Sequence, residues 1–183
     1  MLKTALTIFF LTGNLAAAEI VAAEPSVLAE IRTAERSIDN RFRDISTPDP
    51  MGLTGVTRGA YVDGFGAVFS FEVMLVPVVN VSPFRPAYTD EEKQKLNIRK
   101  RQRLEDLEVK ARQILIEEAS KLKVVSAKEK VVLVVSLFHF SWENLSSLPS
   151  QLVMQATRQS ALDIQAKRID PQEFRNNLDV RYF

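Results

Sequence analysis

The sequence contains no cysteine and a single histidine, His139, among its 183 residues. The lack of cysteine excludes disulfides, thiol nucleophiles, thiolate metal sites and a lipidated N-terminal cysteine. One imidazole without a thiolate does not make a zinc site of the usual kind. A Ser-His-Asp triad would have to pass through His139. We therefore assign no catalytic, metal-binding or cofactor-binding residues from the sequence, and we expect a protein without cofactors.

The sequence also lacks an excess of charge of either sign. It has 24 basic and 23 acidic residues, for a formal net charge of +1. A chain so balanced has no strong field to attract nucleic acid, so we expect no nucleic-acid partner. Its hydrophobic content of 46% and charged content of 26% are those of a globular protein. The length suits one domain with a sizeable core.

Long apolar runs are absent, and the most apolar stretch lies at the N-terminus. "MLKTALTIFFLTGNLAAAEI" has a basic residue, Lys3, then an apolar segment over residues 5–11, then three alanines before Glu19. This order is typical of a signal peptide over residues 1–18, and a second cleavage point follows Ala23. The competing interpretation is a buried N-terminal helix. The apolar segment falls short of the roughly 20 residues that span a bilayer. We expect a secreted or periplasmic protein without a transmembrane span in its mature chain.

Glycine is scarce, yet three of the six glycines occur in "GAYVDGFG", residues 59–66. A glycine-rich phosphate loop requires a helix directly after it, because the helix N-terminus supplies free N–H groups and a favourable dipole. Here an alternating apolar and polar segment follows, which is typical of a strand. Asp63 and Gly64 suit a two-residue type I′ turn, so the pattern predicts a β-hairpin.

With this turn, Val62 is expected to lie opposite Phe65 across the hairpin. Phe65 then lies at the tip, where it is a candidate contact residue for a partner or a membrane. Along the second strand, alternation predicts one buried face and one polar face that includes Ser70 and Glu72. The buried face is expected to contain Phe69, Phe71, Val73 and Leu75.

The remaining pattern predicts an α+β fold, with a mixed, mostly antiparallel sheet and helices packed on one face. The sheet is expected to contain the hairpin and two later strands. An amphipathic helix over residues 26–46 precedes an α+β domain over residues 47–183. Within that domain we expect a long helix over 89–122 that begins with a capping box, a central strand over 130–140, a helix over 149–167 and a final strand over 177–183.

The segment "IRKRQR" within the long helix concentrates positive charge. Its basic residues are Arg99, Lys100, Arg101 and Arg103. Such a cluster attracts anionic lipid, polysaccharide or nucleic acid when it forms one surface. The favoured interpretation is a solvated helix, because acidic residues nearby on the same helix cancel most of the field beyond about 8 Å.

The segment "LFHFSWEN" carries the remaining candidates. His139 lies in an apolar strand, which favours a hydrogen-bonded structural histidine over a catalytic base. Trp142 and Glu143 follow at the end of this strand, where loops often carry sites, and both are candidate contact residues. Glu143 would need a second carboxylate, such as Glu72 or Asp63, to act in hydrolysis.

These features predict an exported binding or assembly protein of the cell envelope that is not an enzyme, and whose partner is another envelope protein. Two other interpretations stay open. One is a cofactor-free hydrolase that uses carboxylates near the end of the His139 strand. The other is an envelope protein that touches anionic surfaces through the basic helix.

Overall fold

The computed structural model of the protein describes residues 24–43, 50–77, 88–143 and 148–183. These residues form a single α+β domain of four helices and six strands, as the sequence pattern predicts. The helices are α1 (Pro25–Arg43), α2 (Asp90–Lys121), α3 (Arg158–Gln165) and α4 (Pro171–Asn176). The strands are β1 (Gly52–Leu53), β2 (Arg58–Val62), β3 (Gly66–Met74), β4 (Lys130–Leu137), β5 (Gln151–Thr157) and β6 (Asp179–Tyr182).

The proposed signal peptide and both of its cleavage points lie outside the described residues. In the part of the chain that is described, no helix combines the length and the apolar character that crossing a membrane requires.

All six strands belong to one sheet, in the order β1-β3-β4-β5-β6, and β2 pairs with β3 beside β1. The central pair, β3 and β4, is parallel, and every other pair is antiparallel. Parallel neighbouring strands need a long crossover connection, and helix α2 lies in the connection between β3 and β4. The sheet is therefore mixed and mostly antiparallel.

The core lies between one face of the sheet and the helices. Alternation along β3 and β4 places Phe69 and Leu133 at adjacent positions on this face, and both are fully buried. From α2, Leu107 and Ile114 join the same apolar cluster. The opposite face includes Ser70 and Glu72, which are exposed as the sequence predicts.

Helix α1 packs against the outer edge of β2. Asp39 accepts a hydrogen bond from the backbone N–H of Thr57 (2.8 Å), and Glu35 accepts one from that of Gly59 (2.7 Å). A Cβ at Gly59 would lie 2.7 Å from a methyl carbon of Ile31, so only glycine lets the helix approach this closely. The predicted amphipathic helix is thus confirmed within residues 25–43, and its side chains cover one edge of the sheet.

Helix α2 begins as the sequence predicts. The side chain of Thr89 accepts from the backbone N–H of Glu92, and the Glu92 carboxylate accepts from the backbone N–H of Thr89. This capping box satisfies donors that have no partner within the helix.

The predicted helix over residues 149–167 is wrong in its first half. Residues 151–157 form β5, and only α3 from Arg158 onward is helical. Leu152, Met154 and Ala156 alternate on the buried face of β5, and each pairs with a buried residue of β4. This pairing overrides the helical propensity of glutamine, leucine, methionine and alanine.

Candidate functional site

The hairpin between β2 and β3 has a turn one residue longer than the sequence predicts. Val62 lies opposite Gly66, and the turn contains Asp63, Gly64 and Phe65. The predicted pairing of Val62 with Phe65 is therefore wrong. Gly64 has φ +74° and Gly66 has φ +124°, and such values suit glycine and strain other residues. The second glycine makes the three-residue turn possible.

Gly66 also lies against the start of β4. A Cβ added at this residue would lie 1.9 Å from the carbonyl oxygen of Lys130. At the preceding residue, the carbonyl oxygen of Phe65 accepts from the backbone N–H of the same Lys130 (2.9 Å). The hairpin is thus joined to the central strand at its tip as well as along its length.

Glu129 holds the tip in place from the loop before β4. Its carboxylate accepts from the Tyr61 hydroxyl (3.2 Å), from the backbone N–H of Gly64 (3.0 Å) and from that of Ser126 (2.7 Å). One carboxylate therefore joins the first strand, the turn and the neighbouring loop. We call this arrangement of Tyr61, Gly64, Ser126 and Glu129 the hairpin brace.

The brace changes the pKa values of two of its members. The pKa of Glu129 is lowered, chiefly because the backbone N–H of Ser126 donates to the charged carboxylate, and the bonds from Tyr61 and Gly64 act in the same direction. The pKa of Tyr61 is raised, first by the loss of solvent around its hydroxyl and then by its hydrogen bond to Glu129. Both changes favour the state in which Glu129 is charged and Tyr61 is neutral.

Acid is therefore expected to weaken the brace. The folded-state pKa of Glu129 lies below its usual value of 4.5, so its stabilising effect is full above pH 4.5 and is lost as pH falls through the lowered pKa. We expect the difference in unfolding free energy between the wild type and Glu129→Gln to shrink between pH 5 and pH 2. Urea denaturation of both proteins across this range measures the difference, and a constant difference would contradict the brace.

Beside the brace, two large apolar side chains face solvent. Val62 is 51% exposed and Phe65 is 42% exposed. Val62 shares the open face of the sheet with its partner position Gly66, while Tyr61 lies on the side of the core. Phe65, a candidate contact residue from the sequence, is thus exposed at the tip and not packed in the core.

A second cluster forms where β4 ends. The ammonium group of Lys100, on α2, lies 2.6 Å from both carboxylate oxygens of Glu143 and 3.3 Å from the carbonyl oxygen of Phe138. The side chain of Lys100 is 0% exposed and that of Glu143 is 5% exposed. Glu143 also accepts from the backbone N–H of Phe140 (3.0 Å). We call Lys100 and Glu143 the buried ion pair.

The loop around this pair is held by further contacts. His139 directs Nε2 to the carbonyl oxygen of Pro149 (3.1 Å), which accepts the hydrogen bond. Its Nδ1 lies 3.5 Å from Glu143. Trp142 stacks between Tyr88 and Phe140, with ring centroids 4.8 Å and 5.2 Å away. These contacts support the structural role that the sequence favours for His139.

The basic segment of α2 does not form one surface. Lys100 and Arg103, three residues apart, are both buried, whereas Arg99 and Arg101 are exposed. One turn or more earlier, Lys93 and Lys95 form ion pairs with the acidic residues Asp90 (3.0 Å) and Glu91 (2.7 Å). The charges of the segment are thus divided between buried and exposed side chains, and the two lysines before it are paired, so the positive surface is smaller than the sequence indicates.

Two of the carboxylates considered for hydrolysis, Glu143 and Glu72, bond to separate groups. Both oxygens of Glu143 contact Lys100. Asp63 lies in the hairpin turn and Glu72 lies six residues into β3, which separates them by about 20 Å along the strand. Glu72 lies on the open face and accepts from the hydroxyl of Thr54. Sequence reasoning found Glu143 but missed its partner, because no local pattern links α2 to a loop 43 residues later.

Among residues 24–43, 50–77, 88–143 and 148–183, no group of three or more histidine or acidic side chains could hold a metal ion. Comparisons with protein-family models, with curated proteins and with solved structures find no match for this chain. The hairpin tip and the buried ion pair are therefore the two candidate sites of this protein.

Proposed function

We propose that this protein is exported after removal of residues 1–18 and acts as a non-catalytic binding or assembly protein of the cell envelope. Its contact surface is the hairpin tip, through Val62 and Phe65. The observation that carries this proposal is the exposure of both side chains on a turn that the Glu129 carboxylate braces. The partner is another envelope protein with an apolar surface patch.

The brace favours binding because it fixes the tip before any partner arrives. Ordering a loop during association costs free energy, and a tip that is already ordered avoids most of that cost. Two exposed apolar side chains on a fixed tip offer a small anchor of the kind that fills a pocket on a partner. Glycine at residues 64 and 66 permits the turn, and the Glu129 carboxylate holds it through the Tyr61 hydroxyl and the backbone N–H of Gly64.

The absence of a catalytic role is supported by the second cluster. The side chains of this cluster that could act as an acid or a base are those of Lys100, His139 and Glu143. Each of them contacts another protein group. Lys100 is fully buried, so solvent and substrate have little access to it. This arrangement holds the loop after β4 against α2, and it supports a binding protein in preference to a carboxylate hydrolase.

The proposal is tested by site-specific photocross-linking in the native host. A benzophenone amino acid in place of Val62 should produce one discrete cross-linked species from the envelope fraction. The same probe in place of Val109, which is 49% exposed on α2, should produce none. Adding Phe65→Ser to the Val62 probe should abolish the species while it changes the unfolding free energy by about 0.5 kcal/mol or less.

The mass of the protein purified from the native host tests export. The mature chain should begin at Glu19, or at Glu24 if cleavage follows Ala23. An uncleaved chain in the cytoplasm would refute export. Equal cross-linking from positions 62 and 109 would refute the hairpin tip as the contact surface.

A further inference from the structure

The two edges of the sheet differ in the hydrogen bonding of their outward backbone groups. At the β2 edge, carboxylates of α1 accept the backbone N–H groups of Thr57 and Gly59. The opposite edge is β6, which among the described strands pairs only with β5. An uncovered edge strand presents a row of unpaired backbone groups that can pair with another strand.

The pairing of β6 shows which backbone groups face outward. Phe183 and Gln151 exchange two hydrogen bonds, N–H to oxygen at 3.0 Å and 3.2 Å. Because hydrogen-bonded and non-hydrogen-bonded positions alternate in antiparallel strands, Arg181 and Asp179 also bond inward to β5. The N–H and C=O groups of Val180 and Tyr182 therefore point outward. Across the described ranges, no residue bonds to these outward groups.

The side chains of β6 also alternate. Val180 and Tyr182 lie opposite Met154 and Leu152, so they share the face that carries the core. Asp179 and Arg181 lie on the open face, where they form an ion pair with each other (2.8 Å). The strand thus has an apolar face and a face with one charge of each sign. Tyr182 and Phe183 are 44% and 62% exposed.

We propose that β6 pairs antiparallel with β6 of a second copy of this chain, around a two-fold axis at Val180. In this register Val180 lies opposite Val180 of the second copy, and the two residues exchange backbone hydrogen bonds. The outward N–H of Tyr182 meets the carbonyl oxygen of Leu178 of the second copy. The two sheets then continue as one, as in other cases of strand addition.

Charge selects this register. Asp179 lies opposite Arg181 of the second copy at both ends of the pairing, so opposite charges face each other twice. A two-fold axis at Arg181 would instead place two arginines opposite each other, which is destabilising in a sheet. On the other face, the register around Val180 brings together only apolar or aromatic side chains from Val180, Leu178 and Tyr182. A closed two-fold pair also uses the β6 edge of both copies, so no β6 edge stays open for a third copy.

The pairing concerns a different edge from the hairpin tip, and it does not depend on the proposed function. The lack of cysteine in the chain makes it directly testable. Val180→Cys places two thiols at positions whose Cα atoms lie about 5.5 Å apart in a hydrogen-bonded pair, within the range of a disulfide. We expect mild oxidation to produce a disulfide-linked dimer of the full mature chain.

Four control variants define the register. Ser70→Cys, exposed on β3, measures random collision and should cross-link at least about tenfold more slowly. Tyr182→Cys alone should resemble this control, whereas Leu178→Cys together with Tyr182→Cys should cross-link rapidly. Arg181→Cys as the fastest variant would show the other axis and overturn the proposal. Cross-linking of Val180→Cys at the rate of Ser70→Cys would also overturn it.

Sedimentation of proteins without introduced cysteine provides a second measurement. We expect the wild type to sediment as a dimer and Val180→Pro to sediment as a folded monomer. Proline removes only an outward N–H there, and an edge strand tolerates that loss. Arg181→Asp should weaken the dimer about tenfold, and Asp179→Arg added to it should restore the wild-type affinity. A monomeric wild type, or a double variant no tighter than Arg181→Asp, would contradict the pairing.

Discussion

Glu143→Ala is expected to lower the free energy of unfolding by about 3–5 kcal/mol, because it leaves the charge of Lys100 buried without its partner. The Lys100 side chain is 0% exposed, and both short contacts of its ammonium group are with Glu143. The remaining carbonyl of Phe138, at 3.3 Å, does not neutralise a positive charge. Urea denaturation at pH 7, followed by circular dichroism, measures the change.

Two matched variants separate the charge from the packing. Lys100→Met combined with Glu143→Leu removes both charges and keeps apolar volume, so it should recover to within about 1 kcal/mol of the wild type. Lys95→Ala removes a pair with Glu91 whose side chains are 73% and 75% exposed. That change should cost about 0.5 kcal/mol or less. A loss below 1 kcal/mol for Glu143→Ala would show that water reaches Lys100.

Gly66→Ala should destabilise the protein by about 3 kcal/mol or more, from two effects that add. The backbone at this residue has φ +124°, which a side chain strains, and the new Cβ would lie 1.9 Å from the Lys130 carbonyl oxygen. Because that oxygen belongs to the backbone of the central strand, the clash is relieved only by moving β3 away from β4. Thermal and urea denaturation measure the loss.

Two other glycines serve as controls for this prediction. Gly64→Ala meets no atom within 4 Å but keeps a positive φ of +74°, so it should cost about 1 kcal/mol. Gly55→Ala meets nothing within 4 Å and has no positive φ, so it should be neutral or stabilise by up to about 1 kcal/mol. Equal effects at residues 64 and 66 would show that the contact with Lys130 is unimportant.

Much of the fold follows from local patterns in the sequence. The capping box at Thr89 predicts where α2 begins, and the alternation from Phe69 to Val73 predicts the buried face of β3. Asp63 and Gly64 predict a hairpin in the correct place. These features depend on residues within a few positions of one another, so the sequence displays them directly.

The errors arise where distant residues decide the structure. Gln151–Thr157 has good helix formers, yet it forms β5 because β4 offers a pairing edge. Its alternating Leu152, Met154 and Ala156 carried the signal for a strand. The longer turn depends on Gly66, whose position against Lys130 no local rule reveals. The ion pair of Lys100 with Glu143 joins elements 43 residues apart, so composition and spacing assign the lysine to a solvated surface.

The aromatic stack beside the buried ion pair has a spectroscopic consequence. Trp142 is the only tryptophan of the chain, and its ring lies between those of Tyr88 and Phe140. Its fluorescence therefore reports on one loop and not on the sheet as a whole. A change of tryptophan emission that precedes the loss of circular dichroism would reveal opening of this loop as a separate, partial unfolding step. Trp142 fluorescence thus monitors the region where α2 meets the end of β4 without any introduced label.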